Sequence, residues 1–326
     1  MIRRDDTAAE KKVLALLKKT RRVLVTMHVH PDPDAMGAAL AMTLYLRSLG
    51  KDARLFNEDA CPFWLRFMPK AAALCRQVTG RERFRPDVVV VLDCGDLERT
   101  GKAAALIGKA PVINIDHHVT NTMFGAFNIV HQEASSTSEI LYGFLRAAKA
   151  VLTRDMAIQL YLGIMTDTGS FGFDSTTPAT HRVVADLLEF NIPVGELYRK
   201  VHETLPKEDL EAFLAIMSRL ELGCGGRVAL LGMTKEQQKV FSPDFDFKDK
   251  VFGLMRSVSG VEVIVILTES DGDTVRVNLR SRGPVDVAAF AGKFGGGGHK
   301  KASGCKVLGT IAHARQVILA ALTKEF

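Results

Sequence analysis

Between residues 22 and 116 the chain alternates short apolar runs with helical patterns: RVLVTM (22–27), a helix from about Asp34 to Leu49, DARLF, DVVVVLD (87–93) and PVINID (111–116). Such alternation implies βαβ units and a mainly parallel sheet covered by helices. Ligands in sheets of this kind gather at the C-terminal ends of the strands. After FNIV, the capping-rich stretch SSTSE, with Glu139 in the first turn, predicts a helix start, and further helices follow to about Phe190. NIP interrupts that pattern. Residues 193–222, with EDLEAFLAIMSRLEL as an amphipathic stretch, read as a linker helix. From Arg227 the texture changes to RVALLGM, VEVIVILTE and DTVRVNLRS, the last two joined by the hairpin signal SDGD. Helical patterns at 284–293 and 310–325 complete a smaller α/β domain. The expected fold class is α/β: a parallel-sheet domain with helices on both faces over 1–190, a helical linker over 191–222, and the smaller domain over 223–326. A chain of 326 residues has room for two such cores.

Composition removes several classes of function. No stretch approaches the roughly 20 apolar residues of a membrane span, and the charged N-terminus MIRRDDTAAEKK lacks the apolar core of a secretory signal. A cytoplasmic protein is the expectation. Five scattered cysteines without a CxxC pair suit reduced thiols rather than bridges or a zinc cage, and Cys94 reads as buried filler. The formal charge of +6 tolerates anionic partners but falls short of a protein that coats nucleic acid.

The chemistry concentrates at predicted strand ends. HVHPDPDAMG after the first strand carries His28, His30, Asp32 and Asp34 within seven residues. Alone it reads equally as a polar loop with Asp34 capping the next helix. The pattern recurs, however: DVVVVLD ends in Asp93, PVINID ends in Asp116, and His117 and His118 follow directly. A fourth element, YLGIMTDTGSF, places Asp167 near the end of an apolar helical run with a glycine-containing exit. Carboxylates brought to one pocket repel one another and lose solvation unless cations compensate. Four aspartates and two divalent ions balance before any substrate arrives. Oxygen-rich ligation with two histidines suits Mn2+, and to a lesser degree Mg2+ or Co2+.

HVHPDPDAMG, VLDCGD, IDHH and GIMTDTG resemble, in order, the four motifs of the DHH phosphoesterases, whose name describes the triplet Asp116, His117, His118. FGGGGHKKASG is similar to the glycine-rich signature of the DHH-associated substrate-binding domain. The resemblance implies that His28, Asp32 and Asp93 hold one metal and that Asp34, Asp93, His117 and Asp167 hold a second, with Asp93 bridging. His30 matches no ligand position and reads as a turn residue. By the same resemblance His118 faces the substrate phosphate as donor or general acid. Asp116 is expected to orient a neighbouring imidazole, as partners of metal-ligating histidines do. Pro33 and Ala38 depart from the glycine and serine frequent at those positions, and neither supplies a ligand.

In the C-terminal part, GGGGH (295–299) followed by Lys300 and Lys301 offers unobstructed backbone N–H groups and reads as an anion nest on a loop. The resemblance carries substrate contacts to Arg280 and His299, and Gly296, Gly297 and Gly298 are taken with them; Arg256, Arg282 and the two lysines read equally as solvated surface. It further implies a stand-alone nanoRNase type that degrades short oligoribonucleotides to mononucleotides and often converts pAp to AMP, through a water activated between two metals. Cyclic di-AMP or pApA hydrolysis is the alternative substrate reading, and a non-catalytic nucleotide-binding sensor is the reading from another class. Short RNA or small nucleotides are the expected partners. Neither a membrane nor a long duplex is among them, and a homodimer is compatible with the chain.

Overall fold

Six strands of the first half, β1 (Arg22–Met27), β2 (Asp52–Asn57), β3 (Cys75–Gln77), β4 (Val88–Leu92), β5 (Val112–Asp116) and β6 (Phe127–Val130), form one parallel sheet in the order β3-β2-β1-β4-β5-β6. This computed structural model describes residues 7–80, 83–242 and 245–326, without the side chains of Thr7 and His299. The chain separates into two compact units, Met1–Lys200 and Val201–Phe326.

Every residue of β4 is buried, as expected of a central parallel strand covered on both faces. Each fully buried valine or leucine there stabilises the fold by about 1.5–3 kcal/mol relative to exposure. One face of the sheet packs Leu24, Phe56, Val89 and Val91 against the 3-10 segment Leu97–Leu106. The helices of this unit are α1 (Thr7–Lys19), α2 (Pro33–Ser48), α3 (Ala71–Leu74), α4 (Thr137–Ala147), α5 (Arg154–Asp167) and α6 (Pro178–Leu188). Helix α2 lies along β1 and β2 and packs on α4 and α5. Asp32 caps it and Pro33 opens it, a residue pair suited to a helix start. Small residues then bring the backbones together: a Cβ on Gly37 would stand 2.4 Å from the Gln159 carbonyl oxygen of α5.

The strand order reverses between β1 and β4, and a crevice opens beyond the strand ends at such a switch point. His28 follows β1 and Asp93 follows β4, so the topology sets them on either side of that crevice.

The stretch expected to be one linker helix is different. It contains α7 (Val194–His202) and α8 (Leu210–Met217), separated by a segment with Pro206, and residues Glu221–Gly223 form strand β7. Proline cannot extend α7, and β7 gains backbone hydrogen bonds by pairing antiparallel with β8 (Val228–Met233). Phe213 and Ile216 of α8 are buried in a core of the second unit.

That unit continues with α9 (Lys235–Lys239), α10 (Phe247–Arg256), β9 (Val263–Ser270), β10 (Thr274–Ser281), α11 (Val287–Gly292), β11 (Gly297–His299), β12 (Ala302–Leu308) and α12 (Ile311–Leu322). Its sheet has the order β11-β12-β10-β9-β8-β7. The hairpin expected at SDGD joins β9 and β10, with positive φ at Gly272 and Asp273. The segment expected as a glycine-rich nest is instead an edge strand: Gly297 pairs with Gly304, Gly298 with Ser303 and His299 with Ala302. The glycines permit close approach, since a Cβ on Gly296 would meet the Gly304 carbonyl oxygen at 2.2 Å and one on Gly298 the Ala302 carbonyl oxygen at 2.6 Å.

Candidate metal centre

Four carboxylates and three imidazoles converge at the β1/β4 crevice. Asp93 is 2% exposed, with φ +56, a left-handed conformation that costs a non-glycine residue about 1–2 kcal/mol. Its Oδ2 lies 3.4 Å from His28 Nε2 and its Oδ1 3.5 Å from His117 Nε2. One carboxylate therefore faces His28 through one oxygen and, through the other, His117 and, at 3.7 Å, His118 Nδ1. Thr137 Oγ1 donates to Asp93 Oδ1 at 2.8 Å and fixes the carboxylate plane.

His28 is buried, and its Nδ1 lies 2.8 Å from the Val29 carbonyl. A carbonyl only accepts, so Nδ1 carries a proton, and Nε2, which faces Asp93 and Asp32, is the nitrogen left to give up its proton to a metal. Burial opposes the charge on this ring, but hydrogen bonds to Asp32 and Asp93 and their charges outweigh it and push the pKa up to about 10. Asp32 Oδ1 accepts from the backbone N–H groups of Asp34 and Ala35, at 3.0 and 2.9 Å, leaving Oδ2 3.7 Å from His28 Nε2. Burial works against the Asp32 charge, yet His28 and those two N–H groups hold the carboxyl below its ordinary range.

Asp34 is fully buried and rests on the N-terminus of α4: Oδ2 accepts from Thr137 N–H at 2.7 Å and Oδ1 from Ser138 N–H at 2.9 Å. Burial, then the charges of Asp93 and Asp32, nevertheless push its pKa well above the carboxylate range. Asp167, the last residue of α5, is pushed up in the same way by burial and by the charges of Asp34, Asp32 and Asp93, and its Oδ2 lies 3.2 Å from His117 Nε2. Gly163, one turn earlier, admits the Asp34 carboxylate, because a Cβ there would stand 2.4 Å from Asp34 Oδ1.

Asp116 is fully buried between His118 Nδ1, 2.6 Å away, and Asn121 Nδ2, which donates at 2.6 Å. Burial disfavours its charge, but the bonds from His118 and Asn121 keep the carboxyl low, while Asp116 and the Asp93 charge raise His118 against its own burial. Asp116 thus orients His118. His30 stands outside this cluster: its φ is +53, its side chain is exposed, and its backbone N–H donates to Asp59 at 2.6 Å. Cys94 is buried, and burial pushes its thiol up to about 12, an inert state.

The arrangement offers donor sets that fit divalent cations. Ligand atoms of His28, Asp32 and Asp93 lie within 4.8 Å of one another, as do those of Asp34, His117 and Asp167, and those of Asp93, His117 and His118. Asp93 belongs to two of the groups. Neighbouring carboxylates lift the pKa values of Asp34 and Asp167, an electrostatic demand that cations satisfy. Reading by motif missed Thr137, Ser138 and Asn121, which position the carboxylates. SSTSE was legible as a helix start, but nothing local in it says that the first turn holds Asp34 and Asp93.

In the second unit Arg280 lies on β10 opposite Ala302, which also pairs with His299, so Arg280 and the His299 backbone occupy one row across three strands. The Arg280 guanidinium sits 4.8 Å over the Phe252 ring. Burial, and then the charge of Arg256, lower its pKa from the usual value. The predicted contact of the His299 side chain lies outside the described residues. Gly297 and Gly298 lie in the edge strand paired with β12, and Gly296 approaches the Gly304 carbonyl just before it. Arg282 donates to the Arg256 carbonyl, and Lys301 Nζ to the Gly283 carbonyl at 2.5 Å.

Comparison with known proteins follows the same two-part division. The DHH family N-terminal domain matches residues 22–164, and the DHHA1 domain matches residues 248–326. A bifunctional oligoribonuclease and PAP phosphatase NrnA from Thermus thermophilus is 31% identical over 305 residues, covering 93% of this chain and 90% of its own. The chain belongs to the DHH family of phosphoesterases. A protein with the same description, from Bacillus subtilis, is 29% identical over 87% of this chain and 89% of its own. Among solved structures, an exopolyphosphatase-related protein from Bacteroides fragilis superposes with a TM-score of 0.88 at 27% identity, over 98% of this chain and 96% of that one. As a DHH phosphoesterase this protein is a hydrolase of phosphate esters, with donor groups for divalent metal at the β1/β4 crevice. No helix among the described residues is long and apolar enough to cross a membrane.

Proposed function

We propose that this enzyme hydrolyses short oligoribonucleotides to mononucleotides and converts pAp to AMP, in the cytoplasm and with Mn2+ as its metal. The observation that carries this reading is Asp93 between His28 and His117, in a chain that resembles the two NrnA proteins along most of its length. We assign His28, Asp32 and Asp93 to one cation and Asp34, Asp93, His117 and Asp167 to the other. When bound, two such cations stabilise the charge that develops on phosphorus and lower the pKa of water.

The remaining work belongs to the protein. Asp93 sets the spacing of the two positions, and Thr137 holds its plane. The Val29 carbonyl keeps the His28 proton on Nδ1. Asp116 fixes the His118 ring, which donates a hydrogen bond, and at the end of the reaction a proton, to phosphate or leaving-group oxygen. Arg280, Gly296, Gly297, Gly298 and His299 are assigned to binding the rest of the substrate, with the Arg280 fork suited to phosphate.

The test is a comparison of initial rates with Mn2+ on labelled RNA from dimers to twenty-four-mers, pAp, pApA, cyclic di-AMP and pyrophosphate. Fast mononucleotide release from dimers to pentamers is the expected result. A preference for cyclic di-AMP would move the activity to messenger turnover, and inactivity on every RNA and on pAp would refute the reading.

A further inference from the structure

A second concentration of charge lies in the first unit, apart from the strand C-terminal ends. A groove of about 320 Å³ is lined by Arg54, Arg76, Arg83 and Phe84 among others. A neighbouring groove of about 910 Å³ shares Arg83 and Phe84 with it and adds Arg85 and Lys109. The register pairs Phe56 with Arg76, and strand alternation then puts Arg54, Phe56 and Arg76 on one face of the sheet. Among the described residues the one carboxylate lining either groove is Asp87, and it is already engaged: it accepts from the Arg21 and Arg22 backbone N–H groups and from the Arg22 guanidinium at 2.8 Å. Asp52 holds Arg54, whose guanidinium lies 4.5 Å from the centre of the Phe84 ring. Arg76 and Arg83 form no ion pair among the described residues. Arg76, Arg83, Arg85 and Lys109, four cations without an ion pair among the described residues, create a positive potential along the two joined grooves that favours an anion with several charges.

Arg85 precedes β4 and Lys109 precedes β5, so this basic band reaches the N-terminal edge of the sheet. The metal centre is at the opposite end of β4, whose five residues span ~16 Å at about 3.3 Å each. A dinucleotide held at Asp93 does not bridge that separation, whereas a longer strand does. We propose that the band is an exosite for single-stranded RNA, taking phosphodiester groups of the part of an oligoribonucleotide that extends beyond the metal centre. The Arg54 guanidinium over Phe84 offers a planar face to a base, and Arg76 and Arg83 take phosphate oxygens. The inference rests on the proposed RNA substrate and assigns it a point of contact besides the metal centre and the residues of the second unit.

The experiment uses the full chain with Arg76→Ala and Arg83→Ala combined, both exposed positions with no partner whose loss would unfold the sheet. Fluorescence anisotropy in EDTA measures binding of labelled two-residue and ten-residue RNA without hydrolysis, over a range of salt. The ten-residue RNA should bind at least about 5-fold more weakly to the variant, with a log–log salt slope shallower by about 1.4, since each cation on a single strand contributes about 0.7. Dimer binding, and dimer hydrolysis with Mn2+, should stay unchanged. Identical binding of the longer RNA to both proteins, or an equal loss for dimer and ten-mer, overturns the exosite. Arginine-dependent binding in a protein that hydrolyses no RNA would refute the proposed function and leave the exosite standing.

Discussion

Asp34 and Asp93 in the first unit are almost wholly buried, and each is held by hydrogen bonds from α4, whereas Gly296, Gly297 and Gly298 in the second unit offer only backbone to a partner strand. The two regions were the most conspicuous motifs of the chain, yet they differ in how much a residue type says. A buried carboxylate needs a partner of opposite charge, so its presence constrains chemistry. Glycine reports freedom of the backbone, which serves an anion nest and a tight edge strand equally well.

Substitution at the two regions should separate these roles. The largest effect is expected from Asp93→Ala, which removes a carboxylate facing both His28 and His117. Turnover should fall ~10³-fold or more, and calorimetric titration with Mn2+ should lose the stoichiometry of two. Retained activity would sink the site. Arg280→Ala should instead raise KM by about 10- to 100-fold with a smaller change in kcat, the loss of one charged hydrogen-bond pair. A fall confined to kcat would place Arg280 at the reacting phosphate.

Asp116→Asn tests positioning rather than ligation. Activity should drop by ~10- to 100-fold while two metals still bind, because the change loosens His118 and leaves the ligands in place. Loss of metal stoichiometry in this variant would make Asp116 a ligand.

The pH dependence follows from the shifted groups. Burial and neighbouring charges raise the Asp34 and Asp167 pKa values, so the metal-free fold holds protons that the unfolded chain releases, and its stability falls as pH rises above the ordinary carboxylate value of ~4. His28, pushed up to about 10, adds a contribution of the same sign, complete below its unfolded value of ~6.5 and lost as pH rises through 10. Asp32 and Asp116, held low, act in the opposite sense but only below pH ~4. Metal replaces the protons, so the gain in Tm on adding Mn2+ should grow from about pH 5 to about pH 8. A gain independent of pH would contradict the burial of protonated carboxyls.

The smallest effects distinguish the glycines. Gly298→Ala, at φ +143 and against the Ala302 carbonyl, should destabilise by ~1–3 kcal/mol, whereas Gly297→Ala meets nothing within 4 Å and should change stability by less than ~0.5 kcal/mol. If Gly297→Ala nevertheless weakens substrate binding, its backbone touches the ligand. Denaturant melts beside KM measurements decide this.

How far the chain could be read depended on how local each cause is. Helix α2 was legible to within a residue, although its cap is Asp32 and not Asp34 as expected, because the Asp32 side chain is the one that accepts from the first free N–H groups; β4 was legible because a run of consecutive apolar β-branched residues suits little else. The close packing of α2 on α5 was not, since both are buried almost all round and carry little amphipathic period. Strand β7, three residues long, was absorbed into a predicted helix, for its only distinction is pairing with β8.

The sequence by itself determined the class of the fold, the pair of domains and the acid and histidine motifs, because burial pattern, turn chemistry and ionisable groups are written in residue types. Tertiary structure alone decided that α4 holds Asp34 and Asp93 and that the imidazole Asp116 serves is that of His118. It also made the glycine run a strand and gathered five cations from β2, β3 and the approaches to β4 and β5 into one band. These are relations between segments far apart in the chain, set by strand order and by which face each strand presents, and no local pattern encodes them.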